Sequence, residues 1–159
     1  MYSEGNPAEL KARFWKEMER SAFVMLQLDG DSESPAPMTA QLDKDADSAI
    51  WFFTNMQNRL AALGAATATY SAVSHDLFAR FHGTLVRETS RARLDKQWSE
   101  RVEAWFPGGK EDPNLLMLRM DLGDATIWGS AMDLLTRAKM AMGMDVRADI
   151  QGEHVTTAL

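Results

Sequence analysis

The sequence predicts a mainly β fold of the α+β class, an antiparallel barrel or sandwich decorated by helices. Three observations carry this. Short runs of β-branched and aromatic residues recur between residues 22 and 88 and again between 115 and 128, separated by turn residues and, in the first stretch, one short helix. Helical periodicity is confined to the start, to residues 89–106 and to the stretch after Ser130. Finally, 159 residues with 45% hydrophobic and 25% charged side chains are enough to bury one core and suit a single domain.

The elements follow in order. Asn6 suits an N-cap, Pro7 the first helical position and Glu9 the first turn, so a helix opens the chain. Its Leu10, Phe14 and Met18 recur every four residues and predict one buried face. "AFVMLQL" (Ala22 to Leu28) reads as a strand, "DGDSESPAP" as a turn-rich loop, and "PMTAQL" (Pro37 to Leu42) as a second strand. After the acidic turn "DKDADS" comes the strand "AIWFFT", then a short helix between Asn58 and Leu63. "ATATYSAV" and "LFARFHGTLVRE" are the next strands. In the latter, Phe78, Arg80 and His82 alternate with Ala79, Phe81 and Gly83.

"TSRARLDKQWSERVEAWF" changes the period. Leu94, Trp98, Val102 and Trp105 lie four, four and three apart, which predicts one amphipathic helix of about four turns, ended by Pro107, Gly108 and Gly109. Two further strands, "LLMLRMDL" and "ATIW", precede a last helix from Ala131 to Met142. Ser130 is its cap, Asp133 stands at the capping-box position and Gly143 closes it. Residues 1–145 read as one domain, and 146–159 as a loose C-terminal tail. Met140, Met142 and Met144 line either the buried face of the last helix or an interface.

Composition narrows function. A net charge of −6 repels a polyphosphate backbone and an anionic membrane surface alike, and Arg87, Arg91 and Arg93 are interleaved with acids on what reads as an exposed face. With no cysteine there is no disulfide, thiol chemistry or cysteine–zinc site. The first residues lack a basic segment followed by an apolar run, and no apolar stretch reaches membrane-spanning length. A cytoplasmic protein is the expectation.

Among candidate chemistries, metal is not expected, since His75, His82 and His154 are scattered. Ser74, His75 and Asp76 are consecutive and read as a turn, not as a catalytic triad. "FPGGKEDPN" follows a helix, whereas a phosphate loop precedes one. "WFFTNMQNRLAALG" holds more. Trp51, Phe52 and Phe53 offer aromatic area, Thr54 and Asn55 offer hydrogen bonds, and Arg59 opens a short helix where free N–H groups favour an anion. A flat apolar slot with a polar rim and a cationic corner is what an isoalloxazine ring with a phosphate tail needs; core packing is the competing reading.

These landmarks, with "FWKEM", "AFVMLQLDG", "PMTAQ", "WFPGGKEDPNLLMLRM" and "ATIW", run in order over about residues 10 to 130. In them the chain resembles the general stress protein 26 group of the pyridoxamine 5′-phosphate oxidase-like, FMN-binding split barrels. The resemblance implies a six-stranded antiparallel split barrel with peripheral helices, forming a homodimer with FMN at the subunit interface. It implies that Met38 and Thr39 present backbone groups to the flavin rim and that Trp51, Phe52, Phe53 and Thr54 form the strand beside the ring. Asn55, Asn58, Arg59 and the Leu60 position would then face the ribityl phosphate, with Trp105 and Trp128 closing the site.

Two positions differ from the family pattern. Ala36 stands where relatives carry arginine before the Pro-Met pair, and Leu60 where they carry lysine. A charge-assisted hydrogen bond is worth about 1.5–3 kcal/mol, so losing two corresponds to roughly two to four decades of FMN affinity. Two functions follow from the resemblance. One is a flavin-dependent oxidoreductase fed by a reduced nicotinamide, with no catalytic acid or base visible. The other is a non-catalytic stress protein that holds a flavin or another flat ligand, or has lost it.

Overall fold

The structure, a computed structural model, describes residues 2–46, 48–130, 134–145 and 152–159. Its elements are β1 (Tyr2–Glu4), α1 (Pro7–Arg20), β2 (Phe23–Leu28), β3 (Ala36–Thr39), β4 (Ala49–Asn55), a 3₁₀ turn (Arg59–Ala62), β5 (Gly64–Ser71), β6 (Leu77–Arg87), α2 (Arg91–Gln97), α3 (Glu100–Trp105), β7 (Leu115–Ser130), α4 (Leu134–Ala141) and β8 (Gly152–Ala158).

The strands run β1-β8-β7-β6-β5-β2-β3, and β4 joins from the side by pairing with β7. Six of them, β2 to β7, form an antiparallel circuit: β3 on β2, β2 on β5, β5 on β6, β6 on β7, β7 on β4. Between β4 and β3 the circuit is held by one bridge, in which the Gln41 and Trp51 main chains exchange hydrogen bonds of 2.7 and 3.0 Å. This is a split barrel.

The barrel is filled by alternate side chains and stoppered by α1. Val24, Leu26 and Leu28 of β2 point inward, while Phe23 and Met25 point out. Asn6 caps α1 as its sequence predicts, its Oδ1 accepting from the Ala8 and Glu9 amides. Leu10, Phe14 and Met18 are buried. Phe14 meets Tyr70 and Phe81 edge-on at 5.8 and 5.6 Å, so the helix plugs the barrel with its aromatic face.

Strand β7 differs from the expectation of two strands at 115–122 and 125–128. It is continuous for 16 residues. Leu116, Leu118 and Met120 face the core before Gly123, and Ala125 and Ile127 after it. The change from even to odd positions comes from one extra residue opposite Phe81–Gly83, a bulge that re-aims the strand instead of ending it. Gly83 is required there: a Cβ would lie 2.5 Å from the Asp121 carbonyl oxygen. The bend lets β7 hold β4 along its first half and β8 along its second.

The single helix expected over the 89–106 stretch is two. Ser90 caps α2 and Ser99 caps α3, accepting from the Arg93 and Val102 amides. The second serine stops the helix after Trp98, turning that indole onto Phe53 and Phe106 and leaving Trp105 79% exposed. Nor is the whole C-terminal stretch loose, because Gly152–Ala158 pairs antiparallel with β7 and parallel with β1, burying Val155 and Leu159. Alternation in 152–158 is too slight to announce that strand, and its partners lie at the far ends of the chain. Met140, Met142 and Met144 are exposed, so they do not line a buried helix face. The capping positions expected at 131–133 lie outside the described residues. Residues 74–76 form the turn read from the sequence, closed by a His75 N–H donating to Ala72.

Candidate functional site

The side chains of "WFFT" are spent inside the molecule. Phe52 and Thr54 point into the barrel and are buried. Trp51 and Phe53 point the other way, under α2 and α3. The Trp51 indole N–H donates to Glu88 Oε2 at 3.0 Å, and the Arg93 guanidinium lies 4.1 Å from the ring centroid. Phe53 packs edge-on to Trp98 at 5.6 Å and near Phe106 at 6.3 Å. Trp51 and Phe53 thus follow the core-packing alternative, their rings taken up by the α2–α3 cover.

Charge locks this cover in place. Asp43 takes an ion pair from Arg93 and another from Lys96 at 2.7 Å, and its carboxylate is nearly buried. The hydrogen bonds from Lys96 and Arg93 hold its carboxyl well below the usual carboxylate range. Burial works against the charge on Glu88, yet the Trp51 indole, the Ser90 amide and Arg119 outweigh it and keep that carboxyl low too. Arg93 is therefore not on an exposed face, as its sequence context suggests, but sits half-buried over an indole.

What the strand does offer is its main-chain edge. The Gln41–Trp51 bridge puts the amides and carbonyls of 51, 53 and 55 on the side away from β7. Just after β3 the Ala40 amide donates to the Ala22 carbonyl just before β2, which turns the main chains of 37, 39 and 41 toward β4. Thr39 and Phe53 would be the next bonded pair, but no ladder joins β3 to β4. Pro37 and Asn55 would follow. Pro37 has no N–H, and the Asn55 carbonyl already accepts from Asn58, so that pair lacks one of its two bonds. The strands part, leaving a slot roughly 13 Å long at about 3.3 Å per residue, with peptide groups of Thr39 and Phe53 facing it.

Both ends of the slot are bounded. The Gln41–Trp51 bridge closes one. At the other, Arg59 reaches from the 3₁₀ turn to the loop before β3, donating from Nη1 to Asp31 Oδ2 at 2.7 Å and from Nη2 to the Ser34 carbonyl at 3.0 Å. The polar residues beside it serve the turn: Asn55 Oδ1 accepts from the Gln57 amide, and Asn58 Oδ1 from the Leu60 amide. Leu60 is in the core.

Met38 also packs against the core. Trp105 and Trp128 are not brought to the slot within one chain. Trp128 lies on the outer face of β7, in register with Phe78 and His154. A cleft of about 1170 Å³ adjoins the closed end of the slot. Thr39 and Gln41 border it, with Trp15 and Arg20 from α1, Phe23, and Arg101 from α3. Asp31, Ser34 and Gln41 were not legible as site residues from the sequence, although the run "DGDSES" before a β edge carries the acidic signal.

A family model described as pyridoxamine 5′-phosphate oxidase like matches residues 9–155. The chain belongs to that family. Among solved structures, it is similar to the general stress FMN/FAD binding protein of Xanthomonas citri, at 41% identity over 80% of this chain and 93% of that one, with a TM-score of 0.74. A candidate general stress protein 26 from Jannaschia sp. CCS1 matches at 29% identity over 97% and 100%, with a TM-score of 0.78. A Clostridium acetobutylicum protein related to general stress protein 26 matches at 16% over 97% of each chain, TM-score 0.67, and shares the fold. No curated protein matches the chain. As a pyridoxamine 5′-phosphate oxidase-like domain of the general stress group, it carries the slot on the frame that those structures share. No helix among its described residues is long and apolar enough to cross a membrane.

Proposed function

We propose that this pyridoxamine 5′-phosphate oxidase-like protein holds a flavin in the slot between β3 and β4 and works as a flavin-dependent oxidoreductase in the cytoplasm. The observation that carries the reading is the pair of unpaired peptide edges at Thr39 and Phe53, bounded by Gln41–Trp51 and by Arg59. A flavin's pyrimidine rim alternates hydrogen-bond donors and acceptors, and a parted β edge presents both at fixed positions. The bound flavin would supply acceptance of a hydride and return of the electrons to a second substrate. The chain's own part is to orient the ring through main-chain groups, to keep water from one side with the α2–α3 cover, and to admit a donor such as a reduced nicotinamide through the cleft beside Thr39 and Gln41.

A second copy of the chain would complete the site. The outer face of the barrel carries Phe23 at 63%, Met25 at 42% and Phe78 at 40% exposure, with Trp128 beside Phe78. Apolar area of this kind on a strand face is what a homodimer buries.

Arg59 favours a second reading, a flavin-holding protein without turnover. It is engaged by Asp31 and so is not free to hold a reacting group. Titration of the purified chain with FMN, read by flavin fluorescence quenching, tests the common part: saturable binding with a Kd on the order of micromolar is expected. Bleaching of the bound flavin by reduced nicotinamide then separates the two readings. A chain that ignores FMN at high micromolar concentration sinks both.

A further inference from the structure

The far end of the slot is electrostatically closed to a phosphate. Arg59 is the cation that the 3₁₀ turn contributes, since Leu60 beside it is buried in the core. Its guanidinium is already engaged: one nitrogen is 2.7 Å from the Asp31 carboxylate, the other 3.0 Å from the Ser34 carbonyl. The acceptors are built in. Asp31 uses its other oxygen to accept the Glu33 amide at 2.9 Å, and Gln27 donates to the Asp31 and Glu33 carbonyls at 3.0 and 2.6 Å. The loop is thus tied down in the shape that presents Asp31 to Arg59. Asp29, two residues back, is turned to Thr67, whose hydroxyl donates to its Oδ1 at 2.7 Å, so Asp31 is the carboxylate that holds the guanidinium.

A phosphate dianion arriving here would have to displace a carboxylate that is already hydrogen-bonded in place. An uncharged ribityl hydroxyl chain meets no such penalty, because hydroxyls can donate to Asp31 and to the Ser34 carbonyl while Arg59 stays paired. From this geometry we infer that the slot selects a flavin by its ring and does not reward the phosphate: riboflavin binds as well as FMN, and Asp31 is the residue that sets this specificity. The inference rests on the flavin reading above and deepens it by naming the ligand class.

The test compares riboflavin and FMN on the purified full chain and on Asp31→Asn, by fluorescence quenching at neutral pH and moderate salt. In the unaltered chain the two dissociation constants should agree within about threefold. In Asp31→Asn the guanidinium is released, and one charge-assisted hydrogen bond to phosphate should tighten FMN by about tenfold or more while riboflavin changes little. The thermal midpoint of Asp31→Asn, read alongside, should stay near that of the parent, since an exposed loop is altered isosterically. FMN binding the unaltered chain more than thirtyfold tighter than riboflavin overturns the inference and leaves the flavin reading standing. So does an Asp31→Asn variant whose FMN-to-riboflavin ratio is unchanged. Failure of both flavins to bind the unaltered chain overturns the inference and the flavin reading together.

Discussion

Arg93 sits 4.1 Å over the ring of Trp51, while its guanidinium also pairs with Asp43 on the loop after β3. One side chain thereby ties α2 to the strand that borders the slot and to the loop that leaves its closed end. Arg93→Ala should remove the cation–π contact, worth about 0.5–2 kcal/mol, and loosen the cover. Expected are a thermal midpoint lower by a few degrees and a red-shifted tryptophan emission as Trp51 meets water, measured by fluorescence-detected melting.

The same cover should yield to acid. The Asp43 carboxyl titrates lower in the folded chain than in the unfolded one, because Lys96 and Arg93 hold its charged form. Its stabilisation is therefore complete above an unfolded carboxyl pKa of about 4 and is lost as pH falls below that. Glu88, held low in the same direction, adds to the loss. Tryptophan emission followed from pH 7 to pH 2 should stay level to about pH 4 and then shift. Asp43→Asn should be less stable at pH 7 and lose less on acidification.

Phe14 reports on the helix plug. Phe14 is 1% exposed and touches Tyr70 and Phe81. Phe14→Ala should destabilise by about 3–5 kcal/mol, lowering the thermal midpoint by about 10 °C or more, as read by calorimetry.

At the bulge, volume is forbidden for a different reason. Gly83→Val places a Cβ against the Asp121 carbonyl, which is backbone and cannot turn aside. A loss of about 2 kcal/mol or more is expected in denaturant melts, with weakened pairing of β6 to β7.

The Thr39 amide gives a direct check of the peptide-edge reading. It points to the slot and has no β2 partner, so Thr39→Pro removes a donor without breaking the β2–β3 ladder. Flavin affinity should fall by about tenfold while the thermal midpoint moves little. An unchanged affinity would place the flavin rim elsewhere.

Much of this frame was legible from neighbours in the chain. The helix cap at Asn6, the four-residue spacing of Leu10, Phe14 and Met18, the strand "AIWFFT" and the turn at residues 74–76 each depend on a few adjacent residues and stand as read. Where the reading differs, a local signal had two meanings. Ser99 falls within one amphipathic period and is an N-cap; Gly123 and Asp124 separate two runs of strand residues and lie at a bulge inside one strand. The aromatic run is legible as a strand, but its sequence leaves a ligand slot and core packing as alternatives. Propensity says that Trp51 and Phe53 suit a strand but not that α2 and α3 lie over them.

Residue order alone therefore settles the mainly β class, the family and the order of most elements, because capping, periodicity and turn chemistry act over a few bonds. Tertiary structure decides the site. Arg59 meets Asp31 from 28 residues away and Trp51 meets Glu88 from 37, and in each case the partner is chosen by which loops the barrel brings together. The slot itself is a pairing not made between β3 and β4. The closed circuit of the other strands, with Pro37 lacking the N–H that would extend the ladder, leaves those peptide groups free.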